Sequence, residues 1–90
     1  MQDYASLRAF VAVARTGSVS RAAEQLHLTQ PAISLKLKQL QANLGLVLFS
    51  RRPQGLALTA DGHALLPAAE KALTSVQAFE QTACALHSIL

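Results

Sequence analysis

The run from Thr29 to Gly45, TQPAISLKLKQLQANLG, constrains this chain's fold more than any other stretch. Ile33, Leu37, Leu40 and Leu44 recur at steps of four, three and four, which gives a helix over this run an apolar side that turns inward. Thr29 is an N-cap residue, and Pro31 falls in the first turn, where its missing N–H costs nothing. Gly45 supplies the left-handed residue that ends the helix. Pro31, Ser34, Leu35 and Lys38 lie away from the stripe, with Gln30 and Gln41 on one flank, and the segment contains no carboxylate. A cation-bearing, acid-free outer face that begins with short polar groups suits a DNA groove.

The charge distribution points the same way. Residues 1–59 carry Arg8, Arg15, Arg21, Lys36, Lys38, Arg51 and Arg52 against Asp3 and Glu24, a net of +5. Residues 60–90 carry Lys71 against Asp61, Glu70 and Glu80, a net of −2. Polyanion-binding potential therefore lies in the first two thirds of the 90 residues. Ninety residues make one small domain, or a small domain plus an appendage, and a domain of this size is marginally stable, so that oligomerisation is one way to support it. A single cysteine, Cys84, excludes an intramolecular disulfide and a multi-Cys metal site and points to a reducing compartment. The apolar run Ala9–Ala14 is not a signal peptide, because it follows Asp3 without a basic leader and is flanked by Arg8 and Arg15. No uncharged apolar run reaches the ~18 residues of a membrane span. The expected setting is the cytoplasm.

Around the central run the pattern is helical, then briefly extended, then helical again. Tyr4–Thr16 is predicted as a helix with Leu7, Phe10, Val11 and Ala14 on one face, stopped by Gly17. A second helix, capped by Ser18 or Ser20, runs to about Leu26, with Ala22, Ala23 and Leu26 inward. Its tight connection through Leu28 to the helix opened by Thr29 predicts a helix-turn-helix. Leu46–Arg51 and Leu56–Leu58 alternate in part, and Arg52-Pro53-Gln54-Gly55 between them suits a type I turn. The expected product is a two-stranded wing with Arg51 and Arg52 near its tip, placed to meet phosphates or a narrow minor groove.

Thr59 caps a last long helix, with Asp61 in its first turn. Leu66, Ala69, Leu73, Val76, Phe79, Ala83, Leu86 and Leu90 step by three or four along it, close to a coiled-coil seam. Such a seam predicts a partner helix, most simply from a second copy, while the first two turns fold back on the chain's own domain. Pro67 should kink the helix near His63. The overall expectation is a mainly α fold: a three-helix core with a two-stranded wing over residues 1–59, then a dimerisation helix over residues 60–90.

Taken in order, these residues resemble the N-terminal DNA-binding domain of the LysR-type transcriptional regulators. The resemblance is carried by Leu7-Arg8-Ala9-Phe10, Gly17-Ser18, Ala22-Ala23, Leu26 and Thr29-Gln30-Pro31-Ala32-Ile33-Ser34. It continues through Leu40, Leu44-Gly45, Leu48-Phe49, Arg51, Leu58-Thr59 and Gly62. It implies a winged helix-turn-helix that binds inverted-repeat promoter DNA as a dimer joined by antiparallel linker helices. The third helix would enter the major groove and the wing would reach a minor groove. Thr29, Gln30, Pro31, Ser34 and Leu35 would then lie toward bases or adjoining phosphates, Lys38 along the backbone, and Arg51 and Arg52 on the wing. Two positions depart from the family: Leu35 stands where Arg or another polar residue is common, with Lys36 beside it to take over charge, and Gln41 replaces a commonly acidic residue. The resemblance also implies a larger C-terminal domain that binds a small-molecule inducer. On this reading the 90 residues are a fragment without that domain, binding DNA without responding to an inducer.

Enzyme chemistry lacks its materials in this sequence. Asp3, Glu24, Asp61, Glu70 and Glu80 are scattered, and His27, His63 and His87 lack metal-ligand spacing. There is no nucleophile elbow and no Gly-rich phosphate loop, so no cofactor is expected. His27 reads as a turn residue, His63 and His87 as helix surface, and Cys84 as a buried or interfacial small hydrophobe. The competing class is a helical protein-interaction module that dimerises through residues 66–90 without binding DNA.

Overall fold

The computed structural model describes residues 3–89, with side chains through residue 87. In chain order it contains α1 (Tyr4–Thr16), α2 (Val19–Leu26), α3 (Gln30–Leu44), β1 (Phe49–Arg52), β2 (Gly55–Leu58) and α4 (Ala60–Ile89). The fold is a winged helix-turn-helix with a long C-terminal helix, as the sequence led us to expect. Leu90, the last member of the expected seam, lies outside the described residues.

The core is built around α1. Asp3 caps it by accepting the Ser6 N–H at 2.7 Å, and Gly17 closes it in the left-handed conformation. Ala9, Phe10, Val11, Ala12 and Val13 are all buried, whereas Leu7 and Ala14 are only half-buried. The single face read from the sequence is therefore too narrow. The reason is tertiary: α1 packs against α2, α3, α4 and β2, and a helix enclosed by neighbours buries most of its circumference.

The connection from α2 to α3 is a tight corner. His27 takes a left-handed conformation (φ 56°), its N–H donating to the Glu24 carbonyl while the Leu28 N–H reaches the Ala23 carbonyl at 2.9 Å. These two bonds form a Schellman motif with histidine where glycine is usual. Leu28 is left substantially exposed by this corner. In α3, Thr29 Oγ1 accepts the Ala32 N–H, Pro31 sits in the first turn and Gly45 is the left-handed cap. Ile33, Leu37 and Leu40 are buried as expected, but Leu44 is half-exposed, because the helix runs off the edge of the core.

The wing is shorter than its apolar run. β1 and β2 pair antiparallel from Phe49 opposite Leu58 to Arg52 opposite Gly55, which leaves Pro53 and Gln54 as the turn. Neither turn residue has a positive φ, which excludes the primed and type II turns and agrees with type I. Leu46–Leu48 do not join the ladder, because they are anchored elsewhere. Leu48 is fully buried, its N–H donates to Gln41 Oε1 at 2.7 Å, and its carbonyl accepts the Thr59 N–H at 3.0 Å. The hairpin docks on the end of α1 through the Leu56 N–H and the Gly17 carbonyl, and Phe49 meets Phe10 edge to face at 5.6 Å. Gly55 is required at this joint: a Cβ there would lie 2.3 Å from the Gly17 carbonyl oxygen.

The start of α4 is fixed by Thr59, whose hydroxyl donates to the Val47 carbonyl and accepts the Gly62 N–H. Gly62 is buried so closely that a Cβ would lie 2.3 Å from the Leu48 oxygen, which accounts for glycine three residues after the cap. The helix continues through Pro67. Ala69 is buried in the domain's core, with Leu65, Leu66 and Leu73 packed against it, and Glu70 bonds Arg15 of α1 at 2.9 Å. The helix thus stays docked through Leu73, further than the two turns expected. From Thr74 to His87 every residue is exposed, so the molecule extends to 52 × 24 × 18 Å.

Candidate nucleic-acid interface

On α3 the helical twist places Ser34 and Lys38 on the side next to the wing. Together with Arg51 of β1 they line one open groove of about 250 Å³, floored by Leu37, Phe49 and Leu56. Two residues of one face of α3 and one of the wing, all singled out in the sequence, thus line the same groove. A second open groove, of about 320 Å³, runs between the wing tip and the start of α2, lined by Arg51, Arg52, Pro53, Gly17, Ser18 and Val19. Thr29, Gln30, Pro31 and Leu35 are exposed on α3 but line neither groove. The Thr29 hydroxyl already accepts the Ala32 N–H, so its established role is to cap the helix.

The cations sort into two groups. Arg15 pairs with Glu70, Lys36 lies 3.7 Å from Asp3, and Arg8 stacks over the Tyr4 ring at 5.7 Å. Among the described residues Arg21, Lys38, Arg51 and Arg52 make no ion pair, and neither does Lys71 on α4. Lys36 pairs with Asp3 at the N-terminus of α1, which offsets part of its charge. The carboxyl of Asp3 is held below its ordinary value, mainly by the Ser6 N–H and also by Lys36. Gln41 is also reassigned: its carbonyl oxygen holds the Leu48 N–H, fixing the loop before β1 to the end of α3.

The sequence reading missed Ser18 and Val19, which form one wall opposite the arginines. The cap signal at Gly17-Ser18 located the start of α2, but only the docking of Gly55 on Gly17 brings the wing beside it. Cys84, expected to be buried or interfacial, is exposed on this chain, as are His27, His63 and His87. Of the expected seam, Ala69 is already buried at home and Leu66 and Leu73 pack on the core; Val76, Phe79, Ala83 and Leu86 remain exposed. Among the described residues no group of three or more His, Cys, Asp or Glu could hold a metal ion, and no helix is long and apolar enough to cross a membrane.

A helix-turn-helix whose second helix shares a basic groove with a two-stranded wing defines the winged-helix class. The family model of the bacterial regulatory helix-turn-helix proteins, lysR family, matches residues 4–63, and the chain belongs to that family. It is 49% identical over 75 residues to an uncharacterised HTH-type transcriptional regulator of Azotobacter vinelandii, covering 83% of this chain and 52% of that one. It is 42% identical over 71 residues to the HTH-type transcriptional regulator TcbR of Pseudomonas sp. strain P51, covering 79% of this chain and 24% of that one. The chain thus spans between about a quarter and about half the length of these relatives. Its structure is similar to that of the CbnR DBD in a DNA complex, with a TM-score of 0.84 and 36% identity over 94% of this chain and 98% of that one.

Proposed function

We propose that this chain binds double-stranded promoter DNA sequence-specifically, as a dimer, in transcriptional regulation of the LysR type. The observation that carries the reading is the convergence of Ser34, Lys38 and Arg51 on one groove beside an acid-free helix. In this proposal α3 enters the major groove, where Gln30, Pro31, Ser34 and Leu35 approach base edges and Lys38 follows the phosphates. Arg51 and Arg52 carry the wing to an adjacent minor groove. The likeness to the CbnR DBD, which was solved in complex with DNA, supports DNA as the ligand. Residues 1–59 form the DNA-binding unit and residues 60–90 the linker, with the exposed stripe from Val76 to Leu86 meeting a second copy. An inverted-repeat site matches that two-fold symmetry. We place the activity in the cytoplasm and assign no inducer site or catalysis to residues 1–90.

Fluorescence anisotropy with duplexes enriched from a random pool tests the reading. Binding should weaken log-linearly with salt, by about 0.9 in slope for each phosphate neutralised. A dimer that shows no salt-dependent binding to any duplex would instead favour the protein-interaction module, the reading that rests on the exposed apolar stripe alone.

A further inference from the structure

Leu35 is a large apolar side chain on the outer face of α3, which it shares with Pro31, Ser34 and Lys38. It is 53% exposed and is not packed against the core. An exposed leucine alone needs no explanation; its position does. At about 100° per residue, Leu35 sits about 200° from Ile33, facing almost directly away from the core. Its neighbours diverge from it: Ser34 lines the wing groove, and Lys36 turns to Asp3. Leu35 is thus a large, exposed apolar side chain on the outward side of α3.

If α3 lies in the major groove, as proposed above, the chemistry of Leu35 selects its target. The side chain has no donor or acceptor, so it cannot pair with guanine N7 and O6, adenine N6 and N7, or cytosine N4. The apolar group that a base pair presents in the major groove is the C5-methyl of thymine. We propose that Leu35 is a specificity-determining residue that reads a thymine methyl in each half-site. This rests on the proposed DNA-binding function and adds a base identity to it.

The test uses the 90-residue chain and a duplex enriched from a random pool, with each thymine replaced in turn by deoxyuridine. That change removes one methyl and leaves the pairing edge intact. Burial of one such group corresponds to about fourfold in affinity. At one thymine per half-site, the uracil change should weaken wild-type binding by about that factor. Leu35→Ala should bind thymine and uracil duplexes equally at that position. Val47→Ala, which trims an exposed apolar residue in the loop before β1, should keep the wild-type preference. Alanine is a strong helix former, so the Leu35 variant should melt as the wild type does. If no thymine shows a uracil penalty, or if Leu35→Ala keeps the whole penalty, the assignment is overturned while sequence-selective binding stands. If no duplex is enriched and none binds with salt dependence, the DNA-binding reading fails and this inference with it.

Discussion

His27 holds a backbone conformation that glycine adopts at little cost, and it does so with an exposed side chain. Relieving the left-handed strain at this exposed position, His27→Gly should stabilise the domain by about 0.5–1 kcal/mol, read as a shift in the urea midpoint. A loss of stability would mean that the imidazole has a structural role. Asp3 provides a pH test. Because its folded-state pKa is lowered by the Ser6 N–H and by Lys36, its contribution is present above the ordinary carboxylate value and lost as pH falls through the folded value. The stability gap between the wild type and Asp3→Ala should therefore be full at neutral pH and narrow below about pH 4. A gap that stays constant as the carboxylate is protonated would rule it out as the source. Of Asp3's two partners Ser6 is local, whereas Lys36 lies 33 positions further on, and only the packing of α3 on α1 brings it close.

Among the elements, the wing depends on one side chain of α3. Gln41 accepts the Leu48 N–H, and Leu48 in turn accepts the Thr59 N–H. Gln41→Ala should cost about 1–2 kcal/mol in stability, through an orphaned, partly buried donor. It should also speed hydrogen exchange in β1 and β2 more than in α1; an even increase across the domain would show that the bond does not fix the wing. The helices of the core were legible because their signals are local: Thr29, Pro31 and Gly45 bound α3, and Ser18 begins α2. The start of β1 was not, because Leu46–Leu48 alternate as a strand would but are held by Gln41 and Thr59. The enclosure of α1 was hidden for the same reason, since its neighbours come from distant parts of the chain. Ser34, Lys38 and Arg51 were legible as exposed polar positions, whereas the α2 wall of the second groove depended on the close approach of Gly55 to Gly17.

For the molecule as a whole, the long helix divides into a docked part and a projecting part at Leu73. The projecting part exposes Phe79 by 74% and Leu86 by 61%. These side chains lie too far along the rod for their own domain to cover, so a second copy is the economical partner. If the proposed dimer forms through this stripe, Phe79→Asp should leave monomer in sedimentation without lowering the domain's melting temperature, since Phe79 lies outside the core. An intact dimer would remove the stripe from the assembly. Two copies joined this way would present two α3 helices and two wings to one duplex. The most direct test that α3 and the wing form one surface is the salt dependence of duplex binding, compared between the wild type and chains carrying Lys38→Ala or Arg51→Ala with Arg52→Ala. Each change should weaken binding and flatten the slope by about 0.9 for every phosphate that is no longer neutralised. Slopes identical to the wild type in both variants would contradict the shared interface.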